Sequence, residues 1–68
     1  MNMATELNLI AKAGGTYRVR KYAGAWVPVA VVNGTMFTGP HCSTSGGAME
    51  SAILLCASLS ARLLEETK

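Results

Sequence analysis

Asn33-Gly34 lies between two extended runs, Val29-Ala30-Val31-Val32 before it and Thr35-Met36-Phe37-Thr38 after it, and it constrains the fold most. β-Branched residues lose rotamer freedom in a helix and fit a pleated surface. A type I′ turn needs positive φ at both central residues, which Asn and Gly adopt most readily. The pair therefore predicts a two-residue hairpin. It sets Val32 opposite Thr35, Val31 opposite Met36, Ala30 opposite Phe37 and Val29 opposite Thr38.

Upstream, residues 17–22 alternate, with Arg18 and Arg20 on one side and Tyr17 and Val19 on the other. Ala23-Gly24-Ala25 reads as a three-residue turn, with Gly24 taking positive φ. That register pairs Tyr22 with Trp26, Arg20 with Pro28 and Arg18 with Ala30; a two-residue turn would shift each pair by one. Period two then divides the side chains. Tyr17, Val19, Val27, Val29, Val31 and Met36 form the expected core face. Arg18, Arg20, Tyr22, Trp26, Pro28, Ala30, Val32 and Phe37 form the other. Proline cannot donate to a ladder, so Pro28 is expected beyond the end of the short last strand.

Residues 6–13 alternate loosely and read as an added strand, with a short helix starting near Thr5 as the rival. Gly14-Gly15 ends either one. Residues 39–47 read as a loop and residues 48–65, approximately, as a helix capped by Thr44, Ser45 or Gly47. Its apolar stripe is Met49, Ala52, Ile53, Cys56, Ser60, Leu63 and Leu64. Leu54 and Leu55 fall outside that stripe. The expected fold is a single α+β domain over residues 1–68: an antiparallel meander of three or four strands packed on one C-terminal helix.

A chain of 68 residues buries only about 60% of its unfolded surface. Its two cysteines do not form a stapling framework. A second copy would supply the missing burial, and Val32, Leu54 and Leu55 are the expected dimer patch. No uninterrupted apolar run approaches the roughly 20 residues that span a bilayer, and residues 1–13 lack a signal-peptide layout. A soluble cytoplasmic protein with no membrane partner is the expectation, and two free thiols fit that compartment.

Half the residues are hydrophobic, the formal net charge is +2, and aspartate is absent. Glu65 and Glu66 point in different directions at a helix end. His41-Cys42 is the one pairing of nucleophile and base, and adjacent loop residues rarely face each other. His41, Cys42 and Cys56 fall short of the four ligands of structural zinc. The loop at 43–47 lacks the glycine-lysine-hydroxyl ending of a P-loop. No catalytic residue, metal or cofactor is expected.

Arg18, Arg20, Tyr22, Trp26 and Phe37 are the candidate partner-binding residues. Guanidinium groups beside aromatic rings suit acidic protein surfaces and also phosphates and bases.

Tyr17-Arg18-Val19-Arg20, Gly24-x-Trp26, and Gly39 ahead of a helix beginning near Thr44 together resemble the three-strand-plus-helix DNA-binding domains. These include the plant ethylene-response type and the arm-binding domains of phage integrases. The resemblance covers roughly residues 17–59 at the level of pattern. It implies a sheet entering the major groove with Arg18, Arg20 and Trp26 as contacts. Here the later strand positions are apolar where that pattern is basic, and the helix is oilier.

The expected function is a small non-enzymatic binding module, an accessory or inhibitor protein of the sort bacteriophages also make. It would bind a larger protein and modulate it sterically. DNA or RNA binding through the same face is the alternative.

Overall fold

A computed structural model describes residues 3–66 of the chain. The elements are α1 (Met3–Ala13), β1 (Thr16–Tyr22), β2 (Ala25–Val32), β3 (Thr35–Thr38) and α2 (Ser45–Glu66). The strands form one antiparallel sheet in the order β1-β2-β3. Both helices contribute to a single core against one sheet face, giving a two-layer α+β domain.

The second hairpin has the register its turn predicts, from Val32 against Thr35 to Val29 against Thr38. Asn33 and Gly34 both have positive φ, 54° and 77°, as a type I′ turn requires. Pro28 lies just past the end of β3. Its carbonyl accepts from the Gly39 N–H at 3.0 Å, so its ring nitrogen faces the β3 side and costs the β1 ladder nothing. The chain then rejoins the edge of β2, where Trp26 and Cys42 exchange two backbone hydrogen bonds of 2.9 and 2.7 Å.

The first hairpin departs from expectation. Its turn has two residues, Ala23 and Gly24, with φ of 52° and 79°. Tyr22 pairs with Ala25, Lys21 with Trp26, Arg20 with Val27 and Arg18 with Val29. The twist of a type I′ turn matches the strands well enough to hold an alanine in the left-handed region. The one-residue shift moves every β1 side chain relative to β2.

The core lies on the sheet face opposite to the one expected. Ala30 and Val32 join Ile10, Ile53, Cys56 and Ala57 in it, with Tyr17, Leu55, Leu59 and Leu63 packed around. Ala30, Ala48, Ala52 and Cys56 are fully buried, so α2 rides close to β2 on small side chains. The larger valines Val27, Val29 and Val31 face the other way. Small side chains such as Ala30 leave room for a closely packed helix, which a row of valines would fill.

Residues 6–13 belong to a helix, not to an added strand. α1 ends in a Schellman motif: Gly14 has φ +69°, its N–H bonds the Ala11 carbonyl at 3.2 Å, and the Gly15 N–H bonds Ile10 at 3.0 Å. A Cβ on Gly15 would stand 3.0 Å from Cys56 Sγ and 3.2 Å from Ser60 Oγ, so this link hugs α2. α2 begins at Ser45, earlier than residue 48. Thr44 caps it: Oγ1 accepts from the Gly47 N–H at 3.0 Å. Within the expected stripe, Ala52, Ile53, Cys56 and Ser60 are buried, whereas Met49 is 39% exposed.

α2 is also long and apolar enough, by length and composition, to cross a membrane. Its most apolar stretch has a mean hydropathy of 1.4, with 33% of it buried within the fold. Scattered Ser, Gly and Glu residues break this helix into short apolar runs, which conceals its average character.

Candidate functional site

The two helices leave one face of the sheet uncovered. From β1 it presents Arg18, Arg20 and Tyr22, from β2 Val27, Val29 and Val31, and from β3 Met36 and Thr38. Alternation in a strand assigns these residues to one side, and the two registers align them across it. Tyr22 is 67% exposed and Met36 55%. Val29 is buried although no helix lies over it; it sits on the central strand between Arg18 and Thr38.

At one end of this face, Arg20, Tyr22, Val27, Val29, Thr38, Gly39 and His41 line a shallow cavity of about 300 Å³. Gly39 lines this cavity through its backbone, since a Cβ there would fall on the helix-bearing side, 2.9 Å from the Pro28 ring and 3.8 Å from Leu55 Cδ2. The face is basic without compensation: no acidic residue occurs between Glu6 and Glu50. Both arginines are exposed.

The structure brings together only part of the expected site. Arg18, Arg20 and Tyr22 share the open face. Trp26 and Phe37 lie on the other, helix-bearing side, because the first hairpin is one residue out of the expected register. Trp26 is half-buried, with the Lys21 ammonium 5.2 Å from its ring centre. Phe37 is half-buried beside Val32, Leu59 and Leu63. The three DNA contacts implied by the resemblance therefore divide between two faces, with Arg18 and Arg20 on one and Trp26 on the other.

The expected dimer patch divides as well. Val32 is core and Leu55 packs against the core, whereas Leu54 is 47% exposed. Val27, Val29, Met36, Thr38 and His41 were missed as site residues. A two-residue turn at Ala23-Gly24, followed through with period two, would have placed the strand residues among them on the arginine face.

His41 is exposed, and Cys42 is held in the bridge to Trp26. The Cys42 thiol donates to the Pro40 carbonyl at 3.5 Å and lies 3.8 Å from Ser51 Oγ. Cys56 is fully buried, and its thiol donates to the Thr16 carbonyl at 3.4 Å. Burial pushes that thiol above its usual range and outweighs a smaller opposing effect of the nearby Ser60 hydroxyl. Ser60 Oγ nonetheless has no hydrogen bond of ordinary geometry. Among the described residues, no three His, Cys, Asp or Glu side chains come together as metal ligands.

Comparison with protein families, with curated proteins and with solved structures finds no match to this chain.

Proposed function

We propose that the chain is a small non-enzymatic binding module whose open sheet face docks on a larger protein and blocks or modulates it sterically. The observation that carries this reading is the face itself. It combines two exposed arginines, an exposed tyrosine and an apolar strip of Val27, Val31 and Met36 on one side of the sheet. Arg and Tyr are enriched where protein interfaces concentrate their binding energy, and Met is enriched in interface cores. In this reading Tyr22 and Met36 are the anchors, and Arg18 and Arg20 make charge-assisted contacts to carboxylates. Trp26 and Phe37 support the hairpins from behind. A homodimer built on Val32, Leu54 and Leu55 is the weaker reading, since Leu54, at 47%, is the only exposed member of that patch.

Nucleic acid is the second reading, favoured by the lack of any acidic residue on the sheet. The apolar share of the face weighs against it, because phosphate contacts dominate such interfaces. Affinity capture from cells of the source, scored for both protein and nucleic acid, tests the two readings together. The expected result is a protein captured by the native chain and lost with Arg18→Ala/Arg20→Ala/Tyr22→Ala, while Trp26→Phe still captures it. Recovery of nucleic acid with a steep salt dependence would favour the second reading. Undiminished capture by the triple variant would refute the docking face.

A further inference from the structure

β1 is an outer strand of the sheet, and its far edge is open. The two-residue turn makes Tyr22 and Ala25 a hydrogen-bonded pair, and such pairs recur at every second residue. Arg18, Arg20 and Tyr22 therefore direct their amides and carbonyls to β2, and Tyr17, Val19 and Lys21 direct theirs outward. Pro28, which has no amide hydrogen, stands opposite Val19, as a pair without ladder bonds allows. Among the described residues no other backbone hydrogen bond reaches Tyr17, Val19 or Lys21. The opposite side of the sheet is better closed: β3 has four residues, and past it the chain bonds back to Trp26. β1 runs for seven residues without glycine, proline or a bulge. An unpaired edge of this kind is a template for another strand.

We infer, resting on the docking role proposed above, that this edge takes an extended segment of the partner protein as an added antiparallel strand, with acidic side chains at alternate positions. Charge chooses the occupant. β1 carries Arg18, Arg20 and Lys21 and no acid. A second copy fits poorly. Every antiparallel register that uses most of both strands, and bonds the outward groups of Tyr17, Val19 and Lys21, sets an arginine directly opposite an arginine. Like charges so placed are destabilising, and opposite charges stabilise. Residues of the added strand opposite Arg18 and Arg20 fall on the open face, so the carboxylates belong there. The residues between them lie beside half-buried Tyr17 and Val19, where valine fits a pleated surface. An antiparallel strand continues the meander and pairs slightly better than a parallel one.

The probe is a fluorescein-labelled peptide of alternating Glu and Val, as long as β1, and its control carries Lys for Glu. Anisotropy with the full chain should show the Glu peptide binding at least about tenfold tighter than the Lys peptide. Arg18→Ala/Arg20→Ala, at exposed positions, should weaken it about tenfold, the size of two surface ion pairs. At saturating peptide, amide hydrogen exchange should slow about tenfold at Tyr17, Val19 and Lys21 and stay unchanged at Arg18 and Arg20, which are already bonded to β2. N-methylation of the peptide's Val amides, which face β1, should abolish binding, and N-methylation of its Glu amides, which face away, should not. Those changes lie in the peptide, so the fold of the chain is not at stake. No binding, equal binding of the two peptides, or equal effects of the two methylations would overturn the inference. So would slowed exchange at Tyr17, Val19 and Lys21 as the chain alone is concentrated, which would mark β1 as a self-pairing edge. Binding that shifts the Val27, Val31 and Met36 methyls without slowing those amides would overturn the added strand and leave the open-face docking role standing.

Discussion

Lys21 and Trp26 face each other across the first hairpin, the ammonium 5.2 Å from the centre of the indole ring. The contact is possible only in the register of a two-residue turn, since a three-residue turn would set Tyr22 opposite Trp26. A cation over an indole at a partly exposed site contributes about 0.5–1 kcal/mol. Lys21→Ala should lower stability in urea unfolding by about that amount, and Lys21→Arg should retain it.

The turn beside that pair holds an alanine at φ 52°, a region that costs an L-residue about 1–2 kcal/mol. Ala23→Asn would recreate the Asn-Gly chemistry of the second hairpin. It should raise stability by about 0.5–1 kcal/mol, read from the urea midpoint at constant slope.

Gly39 stands where a Cβ would meet Pro28 Cγ at 2.9 Å. A proline ring cannot swing aside, so Gly39→Ala should destabilise the fold by about 1–3 kcal/mol. Adding Pro28→Ala should recover part of that loss. A double-mutant cycle showing simple additivity would mean that the two residues do not collide.

Buried Ser60 Oγ has no hydrogen-bond partner, so removing it deletes an unsatisfied polar atom. Ser60→Ala should be neutral or stabilising by up to about 1 kcal/mol, measured by thermal or urea unfolding.

Cys56 supplies the pH dependence. Its thiol is raised in the folded chain, chiefly by burial. Below the ordinary thiol pKa both states keep the proton, and the contribution is fully present. As pH rises past that value, the unfolded chain loses its proton first and stability falls until the folded thiol also ionises. Urea unfolding between pH 7 and the alkaline range should show this loss, and Cys56→Ala should flatten it. In the folded chain Cys42 should also react with a thiol reagent well before Cys56 does.

Much of the architecture was legible in the residues. Asn33-Gly34 marks the second hairpin, Pro28 marks the end of β3 pairing, and the spacing of Ala52, Ile53, Cys56 and Ser60 marks the buried side of α2. The site was less legible, for two reasons. Ala23-Gly24-Ala25 fits a two- or a three-residue turn by composition, and in a strand one residue of slip exchanges the faces. The valine row resembles a core by hydrophobicity alone, whereas what seats α2 is the small side chain of Ala30. Period two separates faces but does not say which one a helix covers. α1 was ambiguous because Glu6 to Ala13 is short and its apolar residues suit either period.

The proposed docking role requires that the open sheet face be the surface that meets the partner. Methyl NMR of the chain with and without its captured partner tests this most directly. The methyl groups of Val27, Val31 and Met36 should shift on binding, and those of Val32 and Ile53 in the core should stay in place. Shifts confined to the helical side, with Val27, Val31 and Met36 unmoved, would contradict it.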